Sequence, residues 1–363
     1  MKIVICVSCL TNGGAERVAS LWANGFYELG HQVDIILTKD IPITYNVDEG
    51  VNIHFLKPFV CTKMFQSLVN DWQYRKQIKK LAPDVIIAVL DGLGPHLALA
   101  TIGLGIPVIQ TEHNSWERPE NVKMTFAAKF FKFYANRIVK AVTVLTEADK
   151  KVIGNRLKSV YVLPNPLAFE PLATLPSKDK VILAVGRLDA GYTKGFDVLL
   201  KAYKKSNVSW RLCIAGGGTE ENFAKYKKLA KELNISDKVD FLGFVNNPVE
   251  LYRKAAIFVL SSRYEGFGMV LIEAMSQGCA CIACDYKGRQ KEIILQKEQG
   301  LICNTDDIEG LSKCIKTLVI DDKYREIVQI ESIKRSSFYS LSNIMNRWDY
   351  IFKQILNRSL YEK

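Results

Sequence analysis

Short apolar runs alternate with amphipathic stretches along the whole 363-residue chain. In the first half the runs are KIVICVS, VDIILT, VNIHFL, DVIIAVL, PVIQTE and AVTVLT. In the second half they are VILAVGR, WRLCIAG, VDFLG, AIFVLSS, CACIAC and GLIC. Residues 15–29, 66–81, 194–206 and 220–233 read as helices between them. A strand that is apolar on both faces must be covered on both faces, and crossover helices do this. The pattern therefore predicts an α/β fold of doubly wound parallel sheets.

The chain is too long for one such sheet, and its seam is visible. Pro164, Pro166, Pro171 and Pro176 put four of the eleven prolines into one short stretch. Proline fixes φ and removes a donor, so this stretch is neither helix nor central strand. We place the boundary near 170, giving Rossmann-like domains at 1–170 and 171–363. A last helix at about 341–357 is a candidate to pack back on the first domain. Ligands of doubly wound sheets sit at the carboxyl ends of the strands, so two facing domains are expected to share one cleft.

Charge and cysteine usage narrow the partners. The 49 basic and 38 acidic residues give a net charge of +11, which favours anionic partners. Zinc-finger and RNP-type patterns are missing, so nucleic acid is not expected. No apolar run approaches the roughly 18–20 residues of a membrane span. The start, MKIVICVSCL, reads as a first strand rather than an export signal. Nine cysteines without such a signal point to a reducing, cytoplasmic setting. The pairs Cys6/Cys9 and Cys281/Cys284 lie in or beside strand-like runs without histidine or a second pair nearby, and read as small buried hydrophobes.

Three turns after predicted strands could carry chemistry. Asn12-Gly13-Gly14-Ala15-Glu16-Arg17 follows the first strand. Its glycines let backbone approach a ligand, and the next helix offers free N–H groups, although a plain strand-to-helix turn fits equally. Neither half carries G-x-G-x-x-G with an acid about twenty residues beyond, so a nicotinamide-linked oxidoreductase is set aside. Val185-Gly186-Arg187-Leu188 ends the first strand of the second half, and Lys194-Gly195 follows. Lys194 is expected to open the next helix, and with Arg187 to converge on a diphosphate; solvated surface charge is the alternative. The third turn is Glu265-Gly266-Phe267-Gly268-Met269-Val270-Leu271-Ile272-Glu273-Ala274. Its glycines predict a loop running into a helix near Gly268, with Glu265 in the loop and Glu273 about one turn inside. Free N–H groups at 268–270 would meet an anion, and both carboxylates would accept from sugar hydroxyls.

Together, VGRL…KG, EGFG-x4-E, the early GGAER and the two-domain layout resemble the retaining glycosyltransferases of family 4, whose fold is GT-B. The resemblance spans nearly the whole chain and is most specific over residues 181–285. Small members that begin with a GGAER-like turn often build bacterial surface polysaccharides, such as capsule or lipopolysaccharide, or lipid-linked oligosaccharides. The resemblance implies that Gly13 and Gly14 border the donor diphosphate and that Arg187 and Lys194 neutralise it as it leaves. It implies that Glu265 contacts the donor sugar, that the backbone of Phe267, Gly268, Met269 and Val270 holds sugar and phosphate, and that Glu273 binds ribose. Phe244 and Val245, in the run FLGFV, match the segment whose backbone meets the base. In Thr111-Glu112-His113-Asn114, His113 matches a histidine near the transferred sugar; alone, it reads equally well as a structural histidine.

The chemistry expected is transfer of a hexose or N-acetylhexosamine from a nucleotide sugar, a UDP-sugar for preference, by front-face displacement. The D-x-D metal signature is missing, and protein cations can replace a divalent ion, so no metal or other cofactor is expected. Asp91, Glu112 and Asn114 are the acceptor-side candidates, with Gly92 beside them. Residues 121–146 hold five basic residues, no acidic one, and Phe126, Phe130, Phe131, Phe133 and Tyr134. Such a helix suits an anionic bilayer surface, as does the weaker stretch 63–80; a core-facing helix with a solvated lysine rim is the alternative. The acceptor is then a lipid-linked glycan, and the enzyme is peripheral at the inner membrane face. Three other readings stay open: an epimerase of the same fold, a transferase for a soluble sugar phosphate, and a non-catalytic nucleotide-binding module.

Overall fold

The computed structural model describes residues 1–11, 13–57, 63–90, 92–118 and 124–361; the side chains of 63–67, 127, 128 and 131 are outside it. In chain order the elements begin β1 (Lys2–Val7), α1 (Gly14–Glu28), β2 (Gln32–Leu37), β3 (Asn52–Phe55), α2 (Lys63–Leu81), β4 (Val85–Val89), α3 (Leu93–Ala100) and β5 (Val108–Thr111). They continue with α4 (Phe126–Phe133), β6 (Ala141–Val144), α5 (Glu147–Ile153), β7 (Val160–Val162), β8 (Asp179–Val185), α6 (Gly191–Lys194), α7 (Phe196–Ser206), β9 (Arg211–Ala215) and α8 (Glu220–Glu232). The rest are β10 (Val239–Gly243), α9 (Val249–Lys254), β11 (Ala255–Leu260), α10 (Met269–Ser276), β12 (Ala280–Asp285), β13 (Leu301–Asn304), α11 (Ile308–Ile320), α12 (Asp322–Ser336) and α13 (Leu341–Leu356).

The chain divides into two compact units, Met1–Ala168 with the chain from Leu341 onward, and Phe169–Ser340. Among the described residues, the first unit holds one sheet in the order β3-β2-β1-β4-β5-β6-β7 and the second one in the order β10-β9-β8-β11-β12-β13. Every pairing is parallel. The fold class is therefore α/β, with two Rossmann-like sheets. In each sheet the strand order reverses once, at β1/β4 and at β8/β11, and beyond the carboxyl ends at such a reversal the loops leave in opposite directions and open a crevice.

The central strands are apolar on both faces because both faces are covered. Val4, Ile36, Ile86 and Ala88 pack beneath Tyr74 and Ile78 of α2. In the second unit Ile182, Leu212, Ile257 and Ile282 share a core with Leu199 of α7 and Ile315 of α11. In the first unit α13 lies on α1. The ring of Trp22 meets Trp348 edge-on at 5.1 Å, and Phe26 stacks on Phe352 at 5.9 Å. Gly25 permits this approach, since a Cβ there would stand 3.0 Å from Met345 Sδ. β7 has no counterpart in the sequence pattern: three residues before a proline-rich stretch carry too little periodicity to read. The cysteines of both C-x-x-C pairs are buried, Cys281 and Cys284 within β12 and Cys6 within β1, with Cys9 just beyond.

Candidate functional site

In the second unit the site is built on the loops that leave β8 and β11. The helix after β11 starts where the glycines predict. Gly268 takes φ +100 and ends the loop, and α10 begins at Met269. Gly268 has no side chain to cap the helix, so the first amides of α10, at Met269 and Val270, meet no side-chain cap among the described residues. Phe267 is buried, its ring edge-on to Tyr339 at 5.5 Å, and its carbonyl accepts from Gln290 Nε2 at 3.3 Å. These contacts pin the loop from below.

Glu265 precedes the helix and meets Lys194. Lys194 Nζ donates to Glu265 Oε1 at 2.6 Å, and Ser262 Oγ donates to the same oxygen at 2.8 Å. The lysine stem runs past Gly186, where a Cβ would sit 3.4 Å from its Cδ. Lys194 does not open a helix, as the sequence reading expected. It ends the one-turn helix α6, and Gly195 with φ +64 separates it from α7. The break has a steric cause. A Cβ on Gly195 would run into the carbonyl oxygen of Ser261, so only glycine lets the lysine turn lie against the β11 loop. Ser261 Oγ closes the contact by donating to the Lys194 carbonyl at 2.9 Å.

Arg263 fastens the two loops together and was not singled out in the sequence. Its Nη1 and Nη2 grip the carboxylate of Asp197, both at 2.8 Å, and its Nε donates to Asp306 at 2.5 Å. Nη1 also reaches the Tyr192 carbonyl at 2.9 Å, and the Arg263 amide donates to the Thr193 carbonyl at 2.8 Å. One side chain thus holds the α6 turn, the start of α7 and the loop after β13. Burial works to raise the Asp197 pKa, but the hydrogen bonds and charge of Arg263 outweigh it and hold the carboxyl below its usual value. No local spacing announces these partners, which lie 66 and 43 residues away.

Arg187 stands just past β8 with its side chain 72% exposed, and its nearest described carboxylate is Asp189 at 3.7 Å. Glu273 lies inside α10 and is buried, accepting from Tyr252 Oη at 3.2 Å. Phe244 is exposed beyond β10, and a Cβ on Gly217 would touch its ring at 3.6 Å. Val245 beside it is half-buried. The backbone ends of β8, β9 and β10 are tied in series. The Gly186 amide donates to the Ala215 carbonyl at 2.9 Å, and the Gly216 amide to the Gly243 carbonyl at 2.8 Å.

In the first unit Gly13 is the N-cap of α1 in extended conformation, and Gly14 is the exposed first residue. Glu16 folds back over Gly13, where a Cβ would collide with its carboxylate. His113 is held on both nitrogens, Nε2 at 3.1 Å from Thr111 Oγ1 and Nδ1 at 3.2 Å from Asn165 Oδ1. Thr111 Oγ1 also donates to the Ala88 carbonyl at 3.0 Å. Those bonds, and Trp22 with its ring 5.5 Å away, fix the imidazole plane. Asn114 is exposed, whereas Asp91 and Asn12 lie outside the described residues.

A cavity of about 520 Å3 opens at the carboxyl ends of β1, β2, β4 and β5, with Ser8, Thr38 and Leu90 in its wall. Glu112, His96, Arg118 and Lys132 give it charge. The hydrogen bond to Asp71 raises the His96 pKa above its usual value, and burial only partly opposes it. Lys132 overturns one expectation. Its side chain is 6% exposed and 3.9 Å from Glu112, and it crosses the Trp116 ring at 4.8 Å instead of facing a membrane. Two residues beyond Phe130, it is turned about 200° around the helix. Phe126 and Phe130 occupy the outer face, Phe126 being 86% exposed.

The "Glycosyl transferases group 1" family model matches residues 171–335, and the "Glycosyltransferase Family 4" model matches residues 12–170. An uncharacterised glycosyltransferase of Haemophilus influenzae is 30% identical, over 93% of this chain and 95% of that protein. The Campylobacter jejuni GalNAc-alpha-(1->4)-GalNAc-alpha-(1->3)-diNAcBac-PP-undecaprenol alpha-1,4-N-acetyl-D-galactosaminyltransferase is 29% identical, over 98% of this chain and 99% of that protein. Among solved structures, Anabaena HepE in complex with UDP superposes with a TM-score of 0.78 at 16% identity, covering 98% of this chain and all of that one.

Proposed function

The chain belongs to the family-4-like glycosyltransferases of the GT-B fold, and from that premise we propose that it transfers a hexose or N-acetylhexosamine from a UDP-sugar to a lipid-linked glycan, with retention of configuration. The observation that carries this reading is the Lys194–Glu265 pair beside the uncapped start of α10, at the β8/β11 reversal. A fixed cation, free amides and a carboxylate in one place suit an activated sugar: phosphate oxygens meet the donors, and sugar hydroxyls meet the acceptor.

In this mechanism the bond between the anomeric carbon and the β-phosphate oxygen breaks as the acceptor hydroxyl attacks from the same face. The leaving phosphate takes the acceptor proton. Lys194 and the Met269 and Val270 amides stabilise the charge that gathers on the diphosphate, already oriented before the reaction begins. Arg187, on its exposed stem, closes on the diphosphate when donor binds. These groups supply the positive charge, so turnover needs no divalent ion. Glu265 accepts from the donor sugar and Glu273 from ribose, while Phe244 and Val245 border the base. His113, held by Thr111 and Asn165, is the residue that the family resemblance assigns to the transferred sugar.

The lipid-linked acceptor is supported by the activity for which the Campylobacter relative is named, and UDP by the ligand of the Anabaena structure. Among the described residues no helix is long and apolar enough to cross a membrane. The outer face of α4, with Phe126 and Phe130 exposed, supports peripheral seating on an anionic bilayer. Thermal shift against a nucleotide-sugar panel, then NMR of the product anomer, tests the assignment. One UDP-sugar should raise the unfolding midpoint, Lys194→Ala should cut turnover on the order of 10²–10³-fold, and the product should be the retained anomer. A panel that shifts nothing, or an inverted product, refutes it.

A further inference from the structure

A second, larger cavity lies at the opposite end of the first sheet. Its volume is about 1210 Å3, and it opens where β4, β5 and β6 begin, with Val108 and Ala141 in its wall. Both the 520 Å3 cavity and the Gly13–Gly14 turn are at the carboxyl ends of the strands, so this cavity belongs to neither. Arg137, Lys140, Arg156, Lys158 and Arg358 line it, against one carboxylate, Asp84, which Arg358 already pairs. Lys140 and Lys158 are exposed and have no ion-pair partner among the described residues. With Arg358 spent on Asp84, four cations remain and give the site a strong positive potential.

Two further observations specify what such a site accepts. Asn136 is 2% exposed, lines the cavity, and spends its amide nitrogen on the Lys132 carbonyl at 3.2 Å. Its Oδ1 is buried without a partner among the described residues, so a ligand hydroxyl has an acceptor there. The rim is apolar on one side. Ile138 lines the cavity and is exposed, and Tyr134, Phe130 and Phe126 continue from it in steps of four residues, all exposed. Arg137 lies over the Tyr134 ring at 5.1 Å, joining the charged floor to that apolar strip.

We propose that this cavity binds the headgroup of an anionic phospholipid of the phosphatidylglycerol kind. The phosphodiester sits among Lys140, Lys158 and the guanidinium groups, a glycerol hydroxyl donates to Asn136 Oδ1, and the acyl chains leave along Ile138 and Tyr134. Arginine forks match phosphate geometry, and lysines add point charge. A free anion has no use for the apolar rim. The proposal rests on the bilayer reading of α4 given above, and gives that contact a headgroup preference.

Short-chain dihexanoylphosphatidylglycerol, titrated below its micelle concentration and followed by calorimetry, tests the site without a bilayer. Binding is expected, with none for dihexanoylphosphatidylcholine. The double variant Lys140→Gln/Lys158→Gln should weaken it roughly 30-fold, at about a factor of five per charge. Turnover on a water-soluble acceptor should stay unchanged in that variant. Equal binding of the choline lipid, equal binding of inorganic phosphate, or full affinity in the double variant would each overturn the proposal. Phe126→Ser/Phe130→Ser separates the two readings. It should lower co-sedimentation with phosphatidylglycerol vesicles yet leave short-chain lipid binding intact. Loss of short-chain binding in that variant would misplace the site, whereas unchanged co-sedimentation faults the α4 reading alone.

Discussion

Replacing Gly195 by alanine tests the link between backbone geometry and turnover. Gly195 has φ +64, and an added Cβ would come roughly 0.9 Å inside the 3.0 Å limit that real Cβ atoms respect, against the Ser261 carbonyl oxygen. That atom is backbone and cannot rotate away. The left-handed conformation alone costs an L-residue about 1–2 kcal/mol. Separating the two loops adds a similar amount, for a total of about 3 kcal/mol. In a domain of this size that lowers the unfolding midpoint by roughly 6–12 °C. The same displacement moves Lys194 against Glu265, and an ångström of misplacement can lower turnover about 100-fold. Gly288→Ala is the control: Gly288 has φ +88, and nothing lies within 4 Å of its would-be Cβ. It should show only the conformational penalty, a few degrees. Thermal unfolding and steady-state turnover on both variants decide the matter. If Gly195→Ala matched Gly288→Ala in both measurements, the Ser261 contact would not be what sets Lys194.

Four further outcomes are expected. Arg263→Lys keeps the charge but loses the fork on Asp197, so kcat should fall about tenfold with donor KM nearly unchanged; an equal rise in KM would argue against a positioning role. Because Asp197 has a lowered folded pKa, its stabilisation is present above the ordinary value of 3.8 and is lost as pH falls through the lowered one; Asp197→Asn should therefore flatten the acid limb of the stability curve, as read by denaturant midpoints. Lys132→Met strips a cation from buried Glu112 and should destabilise the fold in denaturant titration while leaving vesicle co-sedimentation unchanged. Glu273→Gln can still accept from Tyr252 but presents a neutral acceptor, so UDP affinity should drop about tenfold in calorimetry; unchanged affinity would remove Glu273 from the ribose site.

The parallel sheets and the start of α10 were legible in the sequence because both rest on local signals. A strand buried on two faces needs a continuous apolar run, and a glycine of positive φ before MVLIEAMS marks where a loop becomes a helix. What escaped depends on residues distant in the chain. The Gly195 break is dictated by Ser261, 66 positions later, and reads as an ordinary helix start in its own context. Arg263 resembles any charged loop residue until Asp197 and Asp306 arrive from other elements. Lys132 shares its segment with surface lysines, and only the azimuth of α4 and buried Glu112 assign it to the interior. β7 is too short to carry a period at all.

The placement of α13 has a consequence for biosynthesis. Trp348 and Phe352 cover Trp22 and Phe26 of α1, yet they are translated only after the whole of Phe169–Ser340. At a ribosomal pace of about 5–20 residues per second, the two aromatics of α1 wait roughly sixteen to sixty-five seconds for their lid. The inserted unit can mature while its host is still open. During that interval the nascent amino-terminal half offers chaperones an oily strip that the finished enzyme hides.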